Sequence, residues 1–171
     1  MMDVRDMTEA DVDAVSGIRV RGWQAAYVGL VPQAYLDGMT VEDDARLRRA
    51  RCTDPGATAC DLVADDGNGP LGWASYGPYR GEGVPGGVGE LYALYVRPDV
   101  IGQGVGRTLL AAVQQRAVPA GFGSLALWVL RDNTRARRFY EAAGYTADGG
   151  EQSDDYDGVA LTEVRYRRPL K

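Results

Sequence analysis

The run Val100-Ile101-Gly102-Gln103-Gly104-Val105-Gly106-Arg107-Thr108 constrains this chain more than any other, because it sets three alternate glycines between a strand-like run and a helix-like one. Lacking a Cβ, glycine reaches positive φ and can turn successive N–H groups to one side as an anion-binding nest. Downstream, Leu109, Leu110, Val113 and Ala117 recur at helical spacing and predict a helix whose positive N-terminal end opens at the loop. Upstream, Glu90-Leu91-Tyr92-Ala93-Leu94-Tyr95-Val96 is rich in aromatic and branched residues and closed by Arg97-Pro98, as expected of a buried strand. Strand, glycine loop and helix in that order favour a phosphate-bearing ligand.

Two phosphate motifs fail here. The dinucleotide pattern G-x-G-x-x-G, counted from Gly102 or Gly104, meets Arg107 or Leu109 where its third glycine belongs. The nucleoside triphosphate loop needs a lysine that is absent, and its spacing is one residue short. A nucleotide-binding domain therefore has no motif to support it.

The chain contains no histidine. That removes serine-histidine triads and histidine general catalysis and takes away the commonest zinc ligand, so no metal is expected. Carboxylates, tyrosines and backbone dipoles remain to do any chemistry. The net charge of -5 argues against nucleic acid as a partner, since such proteins present a basic face. The 18 arginines against one lysine, Lys171, reflect genomic base composition of a GC-rich bacterial kind rather than chemistry. Cys52 and Cys60 read as reduced packing residues, so covalent catalysis through them is not expected. No apolar run is long enough to span a bilayer, and Asp3, Asp6, Glu9 and Asp11 make the N-terminus unlike a secretory signal. No membrane partner and a cytoplasmic location are the expectation, with residues 1–171 forming one domain.

A second motif follows the first. In Asn133-Thr134-Arg135-Ala136-Arg137-Arg138-Phe139-Tyr140-Glu141-Ala142-Ala143-Gly144-Tyr145, Asn133 or Thr134 can cap a helix and Gly144 can stop it. Ala136, Phe139, Tyr140 and Ala143 fall on one face of that helix, which by itself reads as core packing.

Taken together, the segment from Glu90 to Tyr145 resembles the acetyl-CoA core of the GCN5-related N-acetyltransferase (GNAT) superfamily. Its loop pattern, Arg/Gln-x-x-Gly-x-Gly/Ala, is met by Gly104 and Gly106, whereas Ile101 stands where arginine or glutamine is usual. The helix pattern Asn-x-x-Ala-x-x-Phe-Tyr-x-x-x-Gly-Phe/Tyr is met throughout. The resemblance implies acetyl-CoA as acetyl donor and an amine as acceptor, with direct transfer and no acyl-enzyme. For the cofactor it implies the loop residues Gly102, Gln103, Gly104, Val105, Gly106, Arg107 and Thr108, the helix residues Asn133, Arg135 and Ala136, and backbone groups of Leu94, Tyr95 and Val96. Arg138 is a further candidate for the phosphates. It also implies Tyr140 as proton donor to the departing sulfur. A homodimer would be in keeping with the family. A catalytically silent CoA-binding regulatory module is the alternative that Ile101 leaves open.

Glu90 is the candidate general base: strict alternation along a strand would put it on one face with Tyr92, Leu94 and Val96. The opposing reading is a solvated strand-end carboxylate. Trp23 and Tyr27, four apart in Trp-x-x-x-Tyr-x-Gly-x-x-Pro, are candidates to line an acceptor pocket, or else core. The acidic run Asp148 to Asp157 reads as a loop that either overhangs the groove and attracts a cationic amine or is simply solvated.

The remaining elements are expected in mixed order. Met2 to Met7 reads as a strand, and Thr8 as the cap of a helix that ends or bends between Gly22 and Pro32. One or two short helices follow up to Arg51, their charge run Glu42 to Arg51 read as a solvated face. Ala57 to Ala64 and Leu71 to Tyr76 form a hairpin, and the chain closes on strands at Leu125 to Leu130, near Tyr145 and at Val159 to Arg167. The resemblance implies an α/β (α+β) fold: a mixed, mostly antiparallel sheet of six to seven strands, splayed at its centre and flanked by about four helices.

Overall fold

The computed structural model describes residues 1–170. Strand β1 (Asp3–Asp6) leads through a helical turn at Glu9–Asp11 into helix α1 (Val12–Ala26). The start works through Asp11: its carboxylate accepts the Thr8 N–H at 2.8 Å and takes a two-pronged contact from Arg5 at 2.7 and 2.9 Å. Helices α2 (Gln33–Asp37) and α3 (Val41–Cys52) follow, the latter capped by the Thr40 hydroxyl, which accepts the Asp43 N–H at 3.1 Å. Strands β2 (Cys60–Asp65) and β3 (Pro70–Pro78) form the expected hairpin, its turn held where the Asp65 carboxylate accepts the N–H groups of Gly67 and Gly69. Then come β4 (Val88–Val96), a helical turn at Pro98–Val100, α4 (Val105–Ala117), β5 (Ser124–Leu130), α5 (Thr134–Ala142), β6 (Thr146–Tyr156) and β7 (Val159–Pro169).

All seven strands lie in one sheet, ordered β1-β2-β3-β4-β5-β7-β6. Every neighbouring pair is antiparallel except β4 and β5. Those two pair in parallel only from Val88 opposite Ser124 to Leu91 opposite Leu127, and from Tyr92 onward they separate. The sheet is thus splayed at its centre, as the resemblance implied.

Helix α4 covers one face over Leu62, Ala74, Leu91, Leu125 and Leu127, and α1 packs Val15 on Val63 and Trp73 of the other. Each large aliphatic side chain removed from water in this way contributes about 1.5–3 kcal/mol. Gly72 sets how closely α4 approaches. A methyl group there would lie 2.8 Å from Leu109 Cδ1 and 2.9 Å from Val105 Cγ1, so only glycine on β3 lets the first turn of α4 settle onto the sheet.

Three expectations are corrected. The acidic run from Asp148 is strand rather than loop: all of it but Asp157 lies in β6, paired with β7 through a register shift between Ala147 and Glu151. Its residues are poor strand formers, and pairing with β7 overrides that preference. The charge run of α3 is not wholly solvated, because Arg48 is 5% exposed, donates to Asp44 at 3.0 Å and lies 4.2 Å over the Trp73 ring. Cys52 and Cys60 are free but exposed, so neither is a packing residue.

Candidate active site

The glycine loop folds as its composition dictates. Gly102 and Gly104 take φ values of +87° and +86°, and Gly104 is the N-cap of α4. Among the described residues the N–H groups of Gly104, Val105, Gly106 and Arg107 have no backbone acceptor, leaving a cluster of donors at the positive end of a long helix. Thr108 is different. Its N–H and its hydroxyl both donate to the Gly104 carbonyl, at 3.0 and 2.9 Å, so it braces the loop from within. Gly106 faces Phe139 and Val96, which seats the loop between α5 and the free end of β4. Gln103, Arg107 and Ile101 are exposed, Ile101 at 42%.

On the β3 side, Leu94, Tyr95 and Val96 pair with Ala74, Trp73 and Gly72. On the β5 side they have no strand partner, so this stretch of β4 is an open edge inside the molecule.

A β-bulge redirects the side chains of β4. Ser75 opposes Ala93 and Tyr76 opposes Leu91, leaving Tyr92 as the extra residue. Leu91, Leu94 and Val96 therefore all pack on the α4 side, while Ala93 and Tyr95 pack with Trp73 on the α1 side. The extra residue places Glu90 on the face opposite Leu94 and Val96, not beside them as strict alternation required. Glu90 is 3% exposed and already engaged: Oε1 accepts the Arg80 N–H at 3.0 Å and Oε2 accepts its guanidinium at 3.0 Å. Tyr92 is drawn the same way. Its hydroxyl donates to the Pro78 carbonyl and its ring lies 3.9 Å beneath Arg80, so it braces the β3–β4 connection rather than the split.

Helix α5 begins where Asn133 accepts the Ala136 N–H at 3.2 Å, which assigns the cap to Asn133 rather than Thr134. Ala136, Phe139, Tyr140 and Ala143 pack on the α4-side core, and Arg135 and Arg138 are exposed. Tyr140 sits edge-on to both Phe139 and Tyr145, with ring centroids 5.1 and 5.9 Å away. Its hydroxyl has no hydrogen-bond partner among the described residues, and burial raises its pKa well above that of an ordinary phenol, with Tyr27 and Tyr145 adding to the rise. Tyr95, on the other face, is shifted in the same direction by burial and by Tyr27. Tyr27 and Tyr95 meet hydroxyl to hydroxyl at 3.3 Å. Three phenols thus gather where the sheet opens.

Trp23 and Tyr27 share a face as the spacing predicted, their rings edge to face at 4.7 Å. They pack with Val31, Leu36, Leu130, Leu161 and Tyr156 in a cluster separate from the main core. Sequence reasoning missed two contributors to this wall. Tyr156 lay hidden in the supposed loop. Glu163, on β7 opposite Leu130 and Gln152, interrupts the inward positions that Leu161 begins, and that carboxylate at an inward position was the available signal.

The description "Acetyltransferase (GNAT) family" fits residues 23–145, which run from Trp23 through the loop to the end of the α5 motif. The chain belongs to the GNAT family. It is an acyltransferase, an acetyl-CoA-dependent N-acetyltransferase. Over 166 residues it is 31% identical to the uncharacterized N-acetyltransferase YuaI of Bacillus subtilis, covering 96% of this chain and 91% of that one. It is 33% identical over 163 residues to the mycothiol acetyltransferase of Kineococcus radiotolerans, covering 90% of this GNAT chain but only 47% of the longer relative. Its fold matches the PaiA N-acetyltransferase of Thermoplasma acidophilum, solved with coenzyme A, with a TM-score of 0.76 at 17% identity over 99% of each chain.

Proposed function

We propose that this acetyltransferase moves the acetyl group directly to a primary amine of a small molecule, in a ternary complex formed across the splayed sheet. The observation that carries the reading is the juxtaposition at one opening of three things: the free N–H groups of α4, the unpaired edge of β4 and the unpartnered Tyr140 hydroxyl. The donor set suits acetyl-CoA. The helix terminus offers N–H groups to a pyrophosphate, with Gln103 and Arg107 beside it, and the edge at Leu94 to Val96 offers peptide groups to an extended amide-containing arm. The loss of a side-chain contact at Ile101 leaves these backbone donors in place.

When bound, acetyl-CoA supplies an activated thioester whose leaving thiol has an ordinary pKa of about 8.5. A backbone N–H near Val96 is positioned to hold the carbonyl oxygen as it gains charge. Tyr140 holds a proton on its phenolic oxygen across the ordinary pH range, because desolvation disfavours the phenolate. It donates a hydrogen bond to the departing sulfur, and it gives up that proton fully only as one arrives from the acceptor side, where the linked Tyr27 and Tyr95 hydroxyls lie. The acceptor nitrogen itself, ordinarily of pKa about 10.4, has to lose a proton before it attacks. Glu90, clamped by Arg80, takes that proton only through water.

A calorimetric titration with acetyl-CoA, with desulfo-CoA and NAD as comparators, tests the reading. Micromolar or tighter binding of both CoA compounds and none of NAD, followed by acetylation of amines, is expected. Binding without turnover of any amine would replace it with a regulatory CoA-binding module.

A further inference from the structure

The acceptor side of the opening carries an imbalance of charge that the transfer chemistry does not use. Arg19 lies 5.2 Å over Trp23 and is paired with Asp44 at 2.8 Å, and Arg80 and Arg165 are likewise taken, by Glu90 at 3.0 Å and Asp148 at 2.7 Å. Glu163 has no such partner. Register puts it directly opposite Leu130 on β5 and Gln152 on β6, two residues from Leu161, and Leu130 and Leu161 both pack into the Trp23, Tyr27 and Tyr156 cluster. The side chain is half-buried, and its one hydrogen bond is from the Gln152 amide to Oε1 at 2.9 Å. No arginine reaches it among the described residues.

A half-buried carboxylate left without a cation is costly unless something supplies one. Here burial disfavours the charged form of Glu163 most, the Gln152 amide partly offsets it, and Asp154 and Glu90 add to the cost. Aromatic rings line the same place. Trp23, Tyr27, Tyr35 and Tyr156 form a continuous wall with neighbouring centroids 4.7 to 6.2 Å apart, and Trp23, Tyr27 and Tyr156 pack on Leu130 and Leu161, which flank Glu163. A carboxylate beside aromatic rings is the pairing that recognises an ammonium group. Position along the opening decides which ammonium. Tyr27 links the two sides: its hydroxyl meets that of Tyr95, on the open stretch of β4, at 3.3 Å, and its ring packs with Leu130 and Leu161, which flank Glu163. The carboxylate is thus joined to the open edge of β4 through the Tyr27 cluster.

We propose that Glu163 holds a second cationic group of the acceptor, so that the substrate is a diamine or a comparable dication, anchored at Glu163 while its other nitrogen reacts on the Tyr140 side of Tyr27. This deepens the amine-transfer reading and rests on it. The pairing of a matched charge in a partly desolvated site corresponds to about a 10- to 100-fold preference.

The test compares straight-chain α,ω-diamines of three to six carbons with monoamines of the same length, on the intact protein and on Glu163→Gln, which keeps shape and the hydrogen bond to Gln152. The intact protein is expected to favour the best diamine in kcat/KM by about 10- to 100-fold, chiefly through KM, and Glu163→Gln to erase that preference while changing monoamine turnover less than about twofold. Glu163→Asp should recover part of the preference. Equal losses on diamine and monoamine, or no diamine preference in the intact protein, overturn the proposal. Titration of the same amines by quenching of tryptophan fluorescence separates it from the transfer reading. If no amine is acetylated, amine transfer fails, yet diamine binding that weakens in Glu163→Gln upholds the second cationic subsite and unaltered binding refutes it. Melting temperatures of the variants within a few degrees of the parent, about 2–4 °C per kcal/mol for a chain of this size, exclude unfolding as the cause.

Discussion

Replacing Tyr140 by phenylalanine separates chemistry from packing, because the two make opposite predictions for this one oxygen. The hydroxyl sits among Phe139, Tyr145 and the α4-side core without a hydrogen-bond partner among the described residues, and burial holds its proton in place. On a partly buried ring, a hydroxyl without a protein partner adds no hydrogen bond to stability, so its removal should leave folding unchanged or raise stability by up to about 1 kcal/mol. For this chain length that is a melting temperature between unchanged and about 2–4 °C higher. Transfer should fall instead. Loss of a positioned proton donor lowers kcat by about 100-fold or more, equivalent to about 2.7 kcal/mol in the barrier, while acetyl-CoA affinity stays within about twofold. The assay is free thiol release followed with a chromogenic disulfide, under conditions where a viscosogen leaves the rate unaltered and chemistry is limiting. The sign with pH also follows: a raised pKa keeps Tyr140 protonated past the ordinary phenol value, so it should add no alkaline fall in kcat below about pH 10. Unchanged kcat in the variant, or a destabilisation of several degrees with parallel loss of activity, refutes the proton-donor role.

Other perturbations test other parts. Gly104→Ala places a methyl group that meets nothing within 4 Å but must adopt φ near +86°, so it should cost about 1–2 kcal/mol and weaken acetyl-CoA binding measured by calorimetry. Unaltered affinity would show that the loop does not hold the cofactor in this conformation. Glu90→Gln should retain more than about a tenth of kcat, because Arg80 already claims both oxygens. A loss of about 1000-fold, confined to kcat, would instead make Glu90 the direct base. Burial raises the folded-state pKa of Tyr27, Tyr95, Tyr140, Tyr145 and Tyr156 above the unfolded value of about 10. Their contribution is fully present below that pH and lost as pH rises through the higher folded values, so denaturant titrations should show stability declining steeply above about pH 10. A flat profile to pH 12 would mean that these phenols are solvated.

Local chemistry made much of this molecule readable in its sequence. The α4 loop and the α5 cap depend on φ and on neighbouring donors within a few residues, and Gly102, Gly104 and Asn133 behave as their side chains require. What escaped depends on distant partners. Nothing near Tyr92 announces that it is one residue too many for β3, yet that excess decides which side of the sheet Glu90 faces. Asp148 to Tyr156 looks like loop because its glycines and aspartates resist extension, and only β7, formed later in the chain, makes it a strand. Arg48 reads as one charge in a surface run until Trp73 and Asp44, from other elements, close around it. Glu163 showed only as a carboxylate at an inward position of β7, since being unpaired is a property of the assembled face and not of any segment.

An unpaired strand edge is ordinarily a hazard, since it invites another molecule to stack on it and begin an aggregate. The free stretch of β4 escapes this because it lies in the middle of the sheet, with α1 packed on one face and α4 and α5 on the other. A neighbouring protein cannot bring a strand with its side chains into that slot. The sheet therefore filters by girth: what it excludes is bulk, and what it admits is a single thin chain with amide groups to share.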